Sequence, residues 1–329
     1  MRNFAYVSAG AVDEAIELLG QDGATRPLAG GTDLLPLMKE EAAAPARLVD
    51  IKRVAELDSG IQETADSLTL GALTRLADIE EHPLLRQRYT AVAEAAGVAA
   101  TPQLRNMATL GGNLLQRPRC WYFRSPQFHC WLKGGASCPA REGENRLHAL
   151  FGGGPCYAAH PSDLATALLA LDASVHLKGR AGERTVALAE FFALPEDGRR
   201  VETTLLPDEL ALRLHLPAPA PGTRSVYLKA MDRKTWAFAL VSVAAVVRLD
   251  GNRITGARVV LGGVAPIPWR APAAERALVG AEPGPEVFKR ASEAALTAAR
   301  PLQHNAYKAP LVGALLQRAL STLAPRASG

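Results

Sequence analysis

The amino-acid sequence predicts a protein of mixed α and β structure, built from two or three units. Apolar residues at helical spacing alternate with short strand-like segments along most of the 329 residues. A proline-rich run from Pro217 to Gly222 interrupts this order, because it can neither continue a helix nor donate to a central ladder. Since the chain is also longer than an average domain, we place a domain boundary between residues 219 and 220.

The first lobe, residues 1 to about 52, is predicted to be a small α/β unit. Its elements are a strand at Phe4–Val7, a helix at Ala11–Leu19, the segment Arg26–Ala29 entering a glycine pair, a helix at Asp33–Lys39 and a strand at Arg47–Ile51.

The second lobe, residues 53–219, is predicted to hold more strands, and its loops at 114–160 carry all the cysteines. The predicted strands are Ile61–Thr64, Ser67–Gly71, Ser174–Leu177, Arg184–Ala187 and Ala211–Leu216, and the predicted helices are Leu76–Glu80, Thr90–Ala96 and Leu164–Leu171. Residues 220–329 predict strands or buried segments at Ser225–Lys229, Phe238–Leu249 and Arg258–Gly262, and a helical end from Pro285 that includes Leu311–Leu323.

Composition excludes several classes of function. The net charge of +4 is modest, and no block of Lys and Arg suggests nucleic-acid binding. The longest nearly apolar run, Trp236–Val247, has 12 residues, short of the roughly 20 that cross a bilayer. Residues Met1–Val7 lack the apolar core of a secretory signal. We therefore expect a cytoplasmic protein, or one carried folded to the periplasm by a signal-bearing partner.

The four cysteines are concentrated in one stretch, at Cys120, Cys130, Cys138 and Cys156. The segments between them are rich in Gly, Pro and aromatic residues, which predicts loops that wrap around a metal centre. The gaps are nine, seven and seventeen residues, whereas structural zinc sites usually bring their ligands in close pairs. A cubane iron-sulfur cluster takes one thiolate at each of four corners, which loops of unequal length can supply.

Other interpretations of the cysteines stay open at this point. The thiols could form two disulfides in an oxidising compartment, bind zinc, or be buried and inert. His129, directly before Cys130, is a weaker candidate ligand, whereas His160 is expected to pack or hydrogen-bond.

Two glycine pairs are the second informative feature. They lie in Leu28–Leu35 and in Thr109–Asn113, and both are predicted to be in loops. Neither has the spacing of a Rossmann fingerprint or a P-loop. Each offers backbone N–H groups that can approach an anion closely, and the first leads into a predicted helix. Together they suggest a split cradle for a diphosphate, although a single pair also suits a plain tight turn.

The ordered motifs resemble the FAD-binding subunit of the xanthine dehydrogenase family of molybdenum hydroxylases. The motifs that carry the resemblance are Leu28–Leu35, Arg105–Leu114, Pro161–Leu164, Leu205–Glu209, Tyr227–Lys229 and Leu261–Ala265. Within this family the cysteine segment is similar to flavin subunits with an extra [4Fe-4S] cluster, most of all those of bacterial heterotrimeric aldehyde oxidoreductases. The resemblance implies a two-lobed FAD domain of the vanillyl-alcohol-oxidase (PCMH) type, followed by a smaller C-terminal α/β domain.

The resemblance also implies which residues contact the cofactors. Two segments would wrap the FAD, namely Leu28, Ala29, Gly30, Gly31, Thr32, Asp33, Leu34 and Leu35, and Thr109, Leu110, Gly111, Gly112 and Asn113. Further FAD contacts are implied for Asp163, Lys229, and Leu210 or Ala211, while Cys120, Cys130, Cys138 and Cys156 would hold the cluster. From the residues alone, Asp163 also suits a cap for a helix at Leu164, and Lys229 a solvated charge.

The resemblance finally implies an electron-transfer role. Substrate would be oxidised at a molybdenum cofactor in a large partner, and electrons would pass through [2Fe-2S] centres in a small partner to FAD and an external acceptor. The first glycine segment contains no histidine, so we expect dissociable FAD. Where NAD-using relatives place acidic residues, this chain has the apolar and aromatic segment Lys234–Phe238, so NAD is not the expected acceptor.

Three rival functions stay open from the sequence. They are a self-sufficient flavin oxidase, the FAD subunit of a related hydroxylase such as 4-hydroxybenzoyl-CoA reductase, and a non-catalytic assembly module that binds zinc. The chain shows no Ser/His/Asp constellation and no paired-carboxylate motif for chemistry on a substrate.

Overall fold

The computed structural model describes residues 1–21, 23–57, 60–64, 66–196 and 198–324. The strands are β1 (Ala5–Ser8), β2 (Thr25–Leu28), β3 (Arg47–Asp50), β4 (Ile61–Glu63), β5 (Ser67–Gly71), β6 (Ser174–Gly179), β7 (Gly182–Ala187), β8 (Leu210–Pro217), β9 (Thr223–Ala230), β10 (Val241–Asp250), β11 (Arg253–Gly262) and β12 (Trp269–Arg270). The helices are α1 (Val12–Leu19), α2 (Leu34–Lys39), α3 (Leu76–Glu81), α4 (Pro83–Arg88), α5 (Thr90–Gly97), α6 (Pro102–Arg105), α7 (Leu110–Leu114), α8 (Trp121–Arg124), α9 (Asp163–Ala170), α10 (Leu188–Phe191), α11 (Pro272–Leu278), α12 (Pro285–Ala295) and α13 (Lys308–Leu323).

Three sheets organise these elements. The first lobe has a parallel sheet in the order β1-β3-β2. The second lobe has an antiparallel sheet in the order β4-β5-β8-β6-β7, and the C-terminal part has another in the order β12-β11-β10-β9. This arrangement confirms the expected fold class, a two-lobed domain followed by a smaller domain of strands and helices.

The first lobe forms because α1 buries one face against its sheet. Val12, Ala15, Ile16 and Leu19 recur at helical spacing, and all four are buried. They pack in one cluster with Val49 of β3. The predicted helix at 11–19 is therefore confirmed, with its start one residue later.

The central strand of the C-terminal sheet, β10, is buried on both faces. Val243 and Ala245 pack in the core with α11, α12 and α13, whereas Ala244, between them, packs with α5 and α9 of the second lobe. Burial on both faces explains why the strand is a continuous apolar run rather than an alternating one. The prediction that this strand begins at Phe238 is wrong, because Phe238 lies in the preceding loop and is exposed.

A buried lysine ties the last helix to the cysteine-bearing segment. Lys308, the first residue of α13, is fully buried. Its Nζ donates hydrogen bonds to the carbonyl oxygens of Leu147 at 2.9 Å, His148 at 3.2 Å and Gly263 at 2.7 Å. Burial lowers the pKa of Lys308 to about 7. The three carbonyls replace the water that the ammonium loses.

Several short elements were not predicted from the sequence. They are α4, α6, α7, α8, α10, α11 and β12, and each has at most seven residues. Such lengths hold too few turns for a periodic apolar pattern to stand out. Among the described residues, none of the helices is both long and apolar enough to cross a membrane.

Helix α9 offers a test of the packing between the two main parts. Leu168 of α9 is fully buried in the core that the second lobe shares with β10 and β11. We expect Leu168→Ala to lower the free energy of unfolding by about 2–5 kcal/mol, because the cavity cannot close fully. Urea denaturation measures the change. Leu206→Ala is the matched control, since Leu206 is 50% exposed, and its effect should stay within about 0.5 kcal/mol.

Candidate functional site

A cavity of about 610 Å³ lies where the two lobes and the C-terminal part meet. The first lobe contributes Thr32 and Pro36 to its wall, and the second lobe contributes Asn113 and Asp163. Lys229 lines it from the C-terminal part. Thr32, Asn113, Asp163 and Lys229, which come from three parts of the chain and are all predicted to contact FAD, therefore surround one space.

The first glycine segment contacts the residues that directly precede the second one, Met107 and Ala108. A Cβ added to Gly30 would lie 1.8 Å from the carbonyl oxygen of Met107, so only glycine permits this approach. Gly31 has a φ of +71°, in the left-handed region that favours glycine. The leucines Leu28 and Leu35 pack on it, since an added Cβ there would lie 3.2 Å and 3.1 Å from their methyl carbons. The first segment is therefore a tight turn that packs against Met107, two residues before the second segment.

The second glycine pair is not in a loop, contrary to the prediction. Gly111 and Gly112 lie within the short helix α7, and Thr109 caps it by accepting a hydrogen bond from the Gly112 N–H at 3.3 Å. Gly111 packs closely on Ala72, since a Cβ added to Gly111 would lie 3.2 Å from the Cβ of Ala72. The side chain of Leu110 is fully buried in the second-lobe core, so it faces away from the cavity.

Asp33 joins the first glycine segment to the cysteine segment. Its Oδ1 accepts from Arg119 at 2.6 Å and from Arg124 at 2.7 Å, and its Oδ2 accepts from the Arg117 backbone N–H at 2.8 Å. Burial lowers the pKa of Arg119, and Asp33 opposes this shift. The side chain of Asp33 is thus engaged by the protein. In the same segment, Ala29 packs against the first-lobe core and Leu34 is the first residue of α2.

Asp163 and Lys229 form a buried ion pair between α9 and β9. Lys229 Nζ lies 2.8 Å from Asp163 Oδ2 and also donates to the Val98 carbonyl oxygen at 3.1 Å. Tyr227 donates its hydroxyl to Asp163 Oδ1. Tyr227 and Lys229 are two positions apart on β9, which places both on the same face of the strand. Burial raises the pKa of Asp163, while Lys229 and Tyr227 oppose that shift.

The structure decides the alternative roles that the sequence left open for this pair. The side chain that caps α9 is Ser162, whose Oγ accepts from the Ala165 N–H at 3.0 Å. Ser162 also donates to Asn113 Oδ1 at 2.6 Å, which links α9 to the second glycine segment. Lys229 is not a solvated charge, because its side chain is only 1% exposed.

Leu210 and Ala211 do not reach the cavity wall as far as the chain is described. Leu210 is buried in the first-lobe core with Leu73. Ala211 points to the other side of β8 and packs on the second-lobe core. The alternation of side chains along β8 assigns both residues to packing, so this structure gives the implied apolar contact no support.

The four cysteines converge in one apolar cluster beside the cavity. Cys120, Cys130, Cys138 and Cys156 are all free thiols and pack with the aromatic residues Tyr122, Phe123 and Trp131. The structure therefore contains no disulfide between them. Within the described part of the chain, no group of three or more His, Cys, Asp or Glu side chains has the geometry to hold a single metal ion.

The surroundings of the thiols disfavour ionisation at two of the four cysteines, Cys120 and Cys156. Burial raises the pKa of Cys120 to about 12. A hydrogen bond between Cys138 and Cys156 lowers the pKa of Cys138 to about 6 and raises that of Cys156. Buried thiolates would repel one another, so ionisation of all four requires positive charge among them.

The two histidines that the sequence analysis considered beside the cysteines, His160 and His129, differ in their surroundings. His160 is buried on the cavity wall, where its Nδ1 accepts from the Ser162 N–H at 3.3 Å and its ring packs edge-on to Phe192. Burial lowers its pKa to about 4. This is the packing and hydrogen-bonding role that the sequence suggests. His129, the weaker candidate ligand, is exposed.

The segment Lys234–Phe238 forms part of the cavity rim. Trp236 is 60% exposed and has a φ of +51°, an uncommon conformation for a bulky residue. The Arg233 guanidinium donates to the Trp236 carbonyl oxygen at 2.8 Å. Arg119 lies 4.7 Å from the ring centroid of Phe238, at cation–π distance. Aromatic and cationic groups therefore border this side of the cavity.

Sequence reasoning missed several residues of this site. They are Arg119, Trp121, His148 and Tyr227. A signal existed for Tyr227, since a strand places it on the face of Lys229. The others lie next to cysteines or between them, and only the folded chain shows that they reach the cavity.

Two family descriptions match almost the whole chain. Residues 2–219 match the FAD binding domain in molybdopterin dehydrogenase, and residues 226–323 match the CO dehydrogenase flavoprotein C-terminal domain. The chain therefore belongs to the FAD-binding subunits of the molybdenum hydroxylase family. It is an oxidoreductase subunit that carries an FAD-binding domain.

Individual relatives support this assignment. The chain is 41% identical over 281 residues to the aldehyde oxidoreductase FAD-binding subunit PaoB of Escherichia coli K12, covering 84% of this chain and 86% of that protein. It is 32% identical to the carbon monoxide dehydrogenase medium chain of Hydrogenophaga pseudoflava, covering 97% and 96%. A solved carbon monoxide dehydrogenase from H. pseudoflava, lacking the Mo-pyranopterin moiety of its cofactor, aligns with a TM-score of 0.77 at 31% identity over 97% of this chain and 96% of that one.

The close approach of Gly30 to Met107 is directly testable. We expect Gly30→Ala to reduce FAD affinity by about tenfold or more, because its Cβ would overlap the Met107 carbonyl oxygen and push the first segment away from Met107. Flavin fluorescence titration of the purified chain measures this. Gly284→Ala is the control, since an added Cβ there meets nothing within 4 Å. Unchanged affinity in Gly30→Ala would contradict a role for this turn.

Proposed function

We propose that this chain is the FAD- and [4Fe-4S]-binding electron-transfer subunit of a molybdenum-dependent aldehyde oxidoreductase. The observation that carries the proposal is the placement of four free cysteines directly beside a cavity that both glycine segments border. The similarity to an aldehyde oxidoreductase FAD-binding subunit supports the choice of substrate class.

The chain's own residues would bind and orient the flavin cofactor. The tight turn at Gly30-Gly31, with Thr32, and the Thr109–Asn113 segment would hold the diphosphate and the flavin through backbone and short polar groups. The Asp163–Lys229 pair lines the same cavity and supplies a fixed dipole there. When bound, FAD can accept electrons singly and release them in pairs, which suits a junction between one- and two-electron carriers.

The cysteine segment, residues 114–160, would hold the cluster through Cys120, Cys130, Cys138 and Cys156. Its position is set by contacts outside the segment. Asp33 binds Arg119 and Arg124, and Arg200 donates to the carbonyl oxygens of Trp131 and Gly135. These contacts support a cluster site that is preorganised relative to the flavin cavity.

Substrate oxidation is assigned to a partner rather than to this chain. The buried carboxylate of the cavity, Asp163, is engaged by Lys229 and Tyr227, so it is not free to act as a base. The proposed partners are a large molybdenum-cofactor subunit and a small [2Fe-2S] subunit, with an external electron acceptor. The aromatic rim at Trp236 argues against NAD as that acceptor.

Two further assignments complete the proposal. The domains are 1–219 for FAD binding, with lobes of about 1–52 and 53–219, and 220–329 for the C-terminal domain. The compartment is the cytoplasm, or the periplasm if a signal-bearing partner carries the folded chain.

Metal content tests the cluster. The anaerobically purified chain should contain about four iron and four sulfide ions. Cys130→Ser should lose most of that iron, since it removes one ligand. Ser137→Ala, an exposed position in the same segment, should keep it. One zinc ion per chain in place of iron would reject the cluster and favour a structural site.

Flavin content and turnover test the electron-transfer role. After reconstitution, the chain should show flavin absorbance, and acid precipitation should release the FAD. The isolated chain should not oxidise aldehydes, whereas the complex with its partners should. Absence of bound flavin would contradict the proposal, and aldehyde oxidation by the isolated chain would support a self-sufficient oxidase.

A further inference from the structure

One cysteine stands apart from the other three in its relation to the cavity. Cys120 lies on the cavity wall. Among the described residues, no other cysteine lines the cavity. Its neighbour Trp121 lines the cavity as well. Cys120 is therefore the corner of the cysteine group that faces the flavin site.

A buried histidine contacts this cysteine. His148 Nε2 lies 3.2 Å from Cys120 Sγ, within hydrogen-bond distance for sulfur. The imidazole is only 2% exposed and packs edge-on to Trp121, with ring centroids 5.3 Å apart. His148 also lines the cavity, so it lies at the boundary between the cysteine group and the flavin site.

The backbone around His148 holds the ring in place. The His148 N–H donates to the Asn145 carbonyl oxygen at 2.9 Å. Its carbonyl oxygen accepts from Asn305 at 3.1 Å and from Lys308 at 3.2 Å. The three partner residues, Asn145, Asn305 and Lys308, are all buried. The ring position is thus set by the C-terminal domain as well as by the cysteine segment.

The hydrogen-bond partners of the ring decide where its proton lies. Nδ1 of His148 is buried and has no hydrogen-bond partner among the described residues. A proton on Nδ1 would leave a buried donor unsatisfied, which is costly. The ring proton therefore belongs on Nε2, which directs an N–H at the Cys120 sulfur.

We propose that His148 donates this hydrogen bond to Cys120 and thereby raises the reduction potential of the [4Fe-4S] cluster. The inference rests on the proposed cluster. One electron entering the cluster increases its negative charge by one unit, and an N–H donor to a ligand sulfur stabilises the more negative state. No bond forms or breaks, and the proton stays on Nε2. His148 thus acts through the Cys120 sulfur and stabilises the reduced form of the cluster.

The test is a redox titration of the cluster, followed by EPR spectroscopy, in the complete complex. His148→Leu and His148→Phe both remove the donor, and the phenyl ring keeps the packing on Trp121. We expect each to shift the ratio of oxidised to reduced cluster about tenfold toward the oxidised form at a given potential, a fall of about 59 mV for one electron. His148→Gln restores a donor and should recover part of the shift. His215→Leu, at a histidine of β8 that lies outside the cavity wall and bonds Thr69, should leave the cluster potential unchanged.

The outcomes separate this inference from the proposed function. A cluster with full iron content and an unchanged potential in His148→Leu and His148→Phe overturns the role of His148 alone. Absence of iron from the wild-type chain overturns both proposals. If the two donor-free variants lose iron while His148→Gln keeps it, the hydrogen bond is supported. Loss of iron from all three variants assigns His148 to packing and overturns the inference.

Discussion

The buried ion pair between Asp163 and Lys229 is the interaction on which the site depends. It joins the first turn of α9, in the second lobe, to β9 of the C-terminal domain, at the wall of the cavity. Two charges removed from water are stable only when their partners satisfy them. Tyr227 and the Val98 carbonyl oxygen supply the remaining hydrogen bonds. If the two domains separated here, one of these charges would lose its partner or become exposed to solvent. The ion pair therefore holds the two walls of the cavity together.

The same principle of mutual satisfaction connects the flavin cavity to the cysteine segment. Asp33 leaves the first glycine turn and binds Arg119 and Arg124, which flank Cys120. From the opposite direction, Lys308 donates hydrogen bonds to the carbonyl oxygens of Leu147 and His148. The cysteine segment is thus held between the first lobe and the last helix. Contacts from both directions therefore fix the position of this segment relative to the cavity.

The sequence predicted much of the fold and the main elements of the site. The residues predicted at the site include Thr32, Asn113, Cys120, Asp163 and Lys229, and the structure places these five around one cavity, whereas neither glycine pair lines it. Predictions were wrong where local pattern competed with tertiary contacts. Phe238 was assigned to a strand because it adjoins an apolar run, yet it stacks under Arg119 in a loop. The sequence predicts a loop for Gly111 and Gly112, yet both lie in α7, where Gly111 packs on Ala72 and Thr109 caps the helix.

By itself, the sequence determined which chemical groups are available and in what order, because spacing and alternation are properties of the chain. It determined that β10 would be buried and that four thiols would share one segment. Only the tertiary structure decided that Cys120 faces the cavity and that His148 contacts it. Those relations depend on contacts between residues far apart in the chain, such as Lys308 with Gly263 and Gly30 with Met107. No local pattern encodes such a contact, since it arises only when separate cores pack together.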